Sequence, residues 1–210
     1  YDALGANCGN ENTAVGASAL SSSTSAENTA VGAGAGFSLT DVSGGVFIGQ
    51  HAGLFATTAS NSTFVGHSAG QGITGAKLTG NSNTAVGTNA GLLLQGAANS
   101  NTFVGRGAGD SVTTAANNTF VGAFCGGTTA TGAQNTAMGV TALNEGTAGN
   151  GNCAFGGGAL EACAGGEVNT AIGQDAGTNV SNGSNNSFVG SNAGITGSPG
   201  GNFTSGSNVV

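Results

Sequence analysis

Asn101-Thr102-Phe103-Val104-Gly105-Arg106-Gly107-Ala108-Gly109 is the stretch whose reading decides the fold, because the chain repeats its grammar from one end to the other. Asn118-Thr119-Phe120-Val121-Gly122, Asn135-Thr136-Ala137-Met138-Gly139 and Asn169-Thr170-Ala171-Ile172-Gly173 restate it. Taking the glycine after the aliphatic residue as the anchor gives Gly5, Gly16, Gly32, Gly49, Gly66, Gly87, Gly105, Gly122, Gly139, Gly156, Gly173 and Gly190. The steps between anchors are 11, 16, 17, 17, 21, 18, 17, 17, 17, 17 and 17 residues. A fixed period of this size marks a repeat architecture in which each unit packs on its neighbours.

Aligning the repeats shows what each slot tolerates. The slot before the anchor is never polar: Leu4, Val15, Val31, Ile48, Val65, Val86, Val104, Val121, Met138, Phe155, Ile172 and Val189. Three residues after the anchor the slot is always small, Ala in ten coils and Cys8 or Cys125 in two. Aliphatic, Gly, two variable residues, small is the hexapeptide-like grammar of left-handed parallel β-solenoids, with the aliphatic and small residues facing inward. The expectation is an all-β, fibrous, left-handed parallel solenoid of about 17 residues per coil and about twelve coils. Residues 1–210 read as one such unit and as a piece of a longer fibre, with Ser207-Asn208-Val209-Val210 opening a further repeat. Only one hexapeptide occurs per coil, so a flattened coil closed by turns and a weaker return strand is expected rather than a three-sided prism. The long step around Gln71–Gly80 reads as a loop insertion.

Neighbouring strand residues point to opposite faces. The slot two before the anchor alternates between Ala (Ala14, Ala30, Ala85, Ala137, Ala171) and Phe (Phe47, Phe64, Phe103, Phe120, Phe188). With the aliphatic slot inward, the Phe/Ala row faces outward, and an apolar row in water is what monomers avoid. The expectation is self-association as a homotrimer through Phe47, Phe64, Phe103, Phe120 and Phe188. The alternative is a twist or bulge that brings both rows inside. Asn12, Asn28, Asn83, Asn101, Asn118, Asn135, Asn152, Asn169 and Asn186 share the slot four before the anchor, where stacked amides can bond along the solenoid. Thr13, Thr29, Thr63, Thr84, Thr102, Thr119, Thr136 and Thr170 follow as β-branched strand formers.

Composition excludes several classes. Only 5% of residues are charged, Gly numbers 43, and the net charge is −7 with Lys77 and Arg106 the only bases. A nucleic-acid binder needs a basic stripe against phosphates, and none is present. No apolar run approaches the roughly 18 residues of a membrane span. Small residues on a strict register argue against disorder.

Asn12 to Leu20, Asn135 to Leu143 and Asn169 to Gly177 resemble the repeats of bacteriophage tail-fibre shafts, and the same grammar is similar to the head repeats of trimeric autotransporter adhesins. The resemblance implies a homotrimeric extracellular fibre, on a virion or a cell surface, that presents a surface binding a host glycan or protein. Gly45–Gly49 and Asn152–Gly156 depart from the Asn-Thr start, and the adhesin-head period is usually shorter.

Candidates for chemistry are sparse. His51 and His67 lie on adjacent coils, two and one residues past their anchors, in slots whose parity predicts that they face different ways as solvated side chains, the alternative being a metal site multiplied by trimer symmetry. Asp41, Asp110, Glu145, Glu161, Glu167 and Asp175 are scattered about one per coil, whereas glycoside cleavage needs two carboxyls about 5–10 Å apart. Cys8 and Cys125 read as small core residues. Cys153 and Cys163 share a coil and read as free thiols, with a disulfide across the coil as the alternative. No catalytic, cofactor or metal set emerges, and the chain reads as a structural and adhesive fibre segment rather than an enzyme. The other reading is an ice- or surface-binding solenoid using the Thr and Asn ranks, weakened by only one regular Thr per coil.

Overall fold

A computed structural model describes residues 2–5, 8–128, 130–145 and 149–195, so the expected further repeat at Ser207–Val210 lies outside the described residues. The chain is an all-β parallel solenoid with no helix among the described residues. Among the described residues, eleven strands of three residues run from β1 (Thr13–Val15) through β6 (Thr102–Val104) and β7 (Thr119–Val121) to β11 (Ser187–Val189). They form one parallel sheet in sequence order. The register is strict: Thr102, Phe103 and Val104 pair with Thr119, Phe120 and Val121. Identical slots therefore stack about 4.8 Å apart, which gives the sheet a length of about 48 Å. Of the twelve anchors, Gly5 joins the stack through a 3.3 Å bond to the Leu20 carbonyl but carries no strand.

Past the anchor the chain turns rather than pairing as a return strand. In the coil of Gly105, Ala108 N–H donates to Gly105 O (3.3 Å), Asp110 N–H to Gly107 O (3.4 Å) and Val112 N–H to Gly109 O (3.1 Å). Gly107 and Gly109 sit at φ 64° and 59°, the third-residue geometry of a type II turn. A left-handed residue at every second position cannot extend into a strand, so the return side shows only isolated bridges such as Ala56 to Leu78 to Gly96. These turns still stack by backbone bonds: Gly91 N–H reaches Ala108 O, and Gly109 N–H reaches Cys125 O, both at 2.9 Å. At the anchors themselves, a Cβ on Gly105 would lie 2.5 Å from Gly122 O, so the closest approach between coils admits only hydrogen there. The insertion leaves the stack, folds on an antiparallel Ile73–Ala76 bridge, and rejoins at Leu78.

The two faces of the strand are the reverse of those read from the sequence. Phe47, Phe64, Phe103 and Phe120 are 0% exposed and Phe188 1%, whereas Val15, Val104 and Val189 are 57%, 36% and 64% exposed. The strand is not kinked to bring both rows inside: the Phe/Ala row fills the chain's own core and the aliphatic row lies outside. The cause is volume across the coil. Every Phe coil carries Gly four residues past the anchor: Gly53, Gly70, Gly109, Gly126 and Gly194. A Cβ on Gly109 would lie 2.8 Å from Phe103, and one on Gly126 would lie 2.3 Å from Phe120. Leu20, Leu143 and Leu160 take that slot only in coils whose strand supplies Ala, and they do so at positive φ. Phe opposite Gly, or Ala opposite Leu, fills the cross-section as close packing requires, and where Ala30, Ala85 and Ala171 face Gly36, Gly91 and Gly177 the side chains of adjacent coils fill the gap: Phe47 at Gly36, Phe103 at Gly91 and Phe188 at Gly177. The inward assignment of the small slot holds, from Ala19 to Ala176 and including Cys125.

The Asn row is buried and bonded. From Asn12 to Asn169 each amide ties its coil to the next: Asn118 Oδ1 accepts from Asn135 N–H at 2.9 Å while its Nδ2 donates to Gly132 O at 2.8 Å. Where Asn is missing, Ser62 Oγ accepts from Asn83 N–H at 3.2 Å.

Candidate functional site

Alternation in the three-residue strands leaves two ranks on the outward face. The Thr rank and the aliphatic rank are about 6.6 Å apart along each strand, and both repeat about every 4.8 Å along the axis. The aliphatic rank stays open at Val15, Val31, Ile48, Val104, Met138, Phe155, Ile172 and Val189. Among the described residues no charged residue occurs in a strand. The face is thus a flat, uncharged, apolar and hydroxyl-bearing strip running the length of the sheet. Its regularity breaks where Val46, Cys153 and Ser187 replace Thr, and where Met138 and Phe155 replace the branched aliphatics.

A second set of surface features lines the corner where the turns begin. The slot two past the anchor is left-handed in every coil that carries a strand, whatever its residue: Ser18, His51, Asn89, Phe124, Thr141 and Asp175 all lie at φ near 60°. Where that slot is Gly, the side chain of the next coil settles over it. His51 Cδ2 lies 3.1 Å from the Cβ position of Gly34, and Phe124 covers Gly107 at 2.8 Å. Phe124 also carries the Arg106 guanidinium 5.0 Å from its ring centroid.

The carboxylates are less scattered than the sequence suggests. Asp175 and Glu161, from adjacent coils, both reach within 3.6 Å of the Cβ position of Gly158. Asp110 sits beside Gly107, and partial burial holds its carboxyl above the ordinary value against a lowering hydrogen bond from Ser111. Asp41, Glu145 and Glu167 are exposed. His51 and His67, expected to face apart, lie with ring centroids 6.3 Å from each other. Strand parity does not extend past the anchor, because the chain has already entered its turns. Among the described residues no three or more His, Cys, Asp or Glu side chains are grouped to hold a metal ion.

All four cysteines are free. Cys153 stands in the outward Thr slot of β9 (Cys153–Phe155) while Cys163 is buried inside, so the coil wall separates them. Burial pushes the Cys125 thiol up to about 12 and raises Cys163 and Cys153 as well. Cys8 is half-buried, its thiol donating to the Leu20 and Ser23 carbonyls.

Comparison of the chain with models of known protein families, with curated proteins and with solved structures found no match in any of the three. No helix among the described residues is long and apolar enough to cross a membrane.

Proposed function

We propose that the chain is a structural and adhesive fibre segment, a shaft of the tail-fibre or surface-adhesin kind, which self-associates and spaces a host-binding surface from its anchor in an extracellular setting. The observation that carries this reading is the open aliphatic rank. The row runs from Val15 to Val189, exposed at eight positions and half-buried at Val65, Val86 and Val121, and a contiguous apolar strip beyond roughly a few hundred Å² is uncommon on a monomer. The interface therefore moves from the Phe row to the aliphatic row. Three copies about a common axis cover the strip on each chain and close without leaving a free lateral edge. Packing, unlike a lattice, tolerates Met138 and Phe155 within the rank. The resemblance of Asn12–Leu20 and Asn135–Leu143 to fibre repeats points to the same assembly.

The test is mass in solution. Sedimentation equilibrium should return three times the 19.5 kDa chain mass, and Val104→Asp with Ile172→Asp should return the single chain with an unchanged circular dichroism spectrum. A wild-type monomer at all concentrations sinks the proposal. A second reading, an ice-binding face, is favoured by one observation: Thr shares its face with branched aliphatics rather than with Phe and Ala, so two repeating ranks are presented. Thermal hysteresis that survives in a monomer would favour it over the fibre.

A further inference from the structure

The chain contains two histidines in 210 residues, and the fold places them against each other on consecutive coils. We propose that His51 and His67 form a bidentate site for a divalent late transition-metal ion, Cu²⁺ in preference to Zn²⁺, at the corner of the solenoid.

The backbone fixes both ligands. His51 lies in the left-handed region at φ 61°, its N–H donating to Ala33 O at 2.9 Å and its carbonyl accepting from Leu54 N–H at 3.2 Å. The carbonyl of His67 accepts from Asn89 N–H on the following coil at 2.9 Å. The His51 ring is also seated. Its Cδ2 is 3.1 Å, and its Nε2 3.8 Å, from the Cβ position of Gly34 on the preceding coil. The Nδ1 edge is therefore on the far side of the ring from Gly34, and His67 belongs to the coil on that side. The rings are tilted by 49° rather than stacked, so they do not present parallel faces to each other.

Distance fits the chemistry. Zinc or copper bonds imidazole nitrogen at about 2.0–2.1 Å, which puts each ring centroid about 3.2 Å from the ion. Two imidazoles on one ion then have centroids about 5.2 Å apart at a tetrahedral angle and about 6.4 Å apart when opposed. The observed 6.3 Å is at the upper end of that interval, and small χ rotations of the exposed His67 cover the rest. Among the described residues no further His, Cys, Asp or Glu joins the pair, so water completes the shell. An imidazole-and-water donor set favours Cu²⁺ by the Irving–Williams order.

The experiment is titration of the full chain with Cu²⁺ alone, and separately with Zn²⁺ alone, by calorimetry, with electron paramagnetic resonance of the copper form. One ion per chain, a two-nitrogen hyperfine pattern and tighter binding of Cu²⁺ are expected. His51→Asn keeps a residue suited to positive φ, and His67→Gln keeps a polar surface; each should weaken Cu²⁺ binding by roughly 10–100-fold because the second ligand acts at a high effective concentration. The double variant should lose little more than either single one. Circular dichroism of each variant separates ligand loss from misfolding. Two ions per chain, single-variant losses of only about twofold, or no binding by the wild type would each show two independent surface imidazoles and overturn the site.

Discussion

Phe103 and Val104 are consecutive apolar residues of one strand, yet the first is 0% and the second 36% exposed. What separates them is the opposite wall. Phe103 meets the space that Gly109 vacates in the same coil, while Val104 points where the chain supplies nothing. Apolarity alone therefore did not decide the core; complementary volume did. The same contrast divides the solenoid into an interior that is complete within one chain and an exterior that carries an unmatched rank.

The sharpest way to break the comparison is to empty the interior. Phe120→Ala should cost about 3–5 kcal/mol, read from urea or thermal unfolding, and the loss should be partly restored by adding Gly126→Leu, since Leu143 shows that leucine fits that slot at positive φ. A cost below about 1 kcal/mol would mean that Phe120 is not the core residue. Next comes the amide ladder. Asn118→Ala strands the Asn135 N–H and the Gly132 carbonyl, and two buried polar groups without partners should cost about 2–4 kcal/mol. Asn118→Ser should cost less, because Ser62 already fills that role for Asn83.

On the exterior the order of effects changes. Val104→Asp should alter coil unfolding by less than about 1 kcal/mol, as a partly exposed position does, while loosening the proposed assembly in sedimentation. If Val104→Asp unfolds the single chain as strongly as Phe120→Ala, the two faces have been exchanged wrongly. Smallest of all, Arg106→Ser removes only the cation over Phe124, worth about 0.5–1 kcal/mol at an exposed site, and the difference should vanish in a Phe124→Leu background.

The period, the parallel in-register sheet and the buried amide row were legible in the sequence because stacking forces identical slots into contact, and Asn101, Asn118 and Asn135 recur without drift. That both strand faces are apolar was also legible from parity. Which face turns inward was not, because parity is symmetric under exchange of the two. The deciding signal lay six residues downstream, where Phe47, Phe64, Phe103, Phe120 and Phe188 are each answered by glycine and leucine appears only opposite Ala14, Ala137 and Ala154. The turn corner left no compositional trace: His51, Phe124, Thr141 and Asp175 share one backbone conformation and no side-chain chemistry. For that reason the His51–His67 contact and the approach of Glu161 to Asp175 emerged only in three dimensions.

The amide row also gives the solenoid a direction. From Asn12 to Asn169 each Oδ1 whose bond is resolved accepts from the coil that follows, never from the one before. At Asn186 the buried Oδ1 has no partner among the described residues. Across any plane drawn between two coils, the amide oxygens of this row thus lie on one side and the backbone N–H groups that bond them on the other. Two such cut faces match head to tail and mismatch head to head, so a rod made of this chain is a vector, with a sense that every coil transmits to the next.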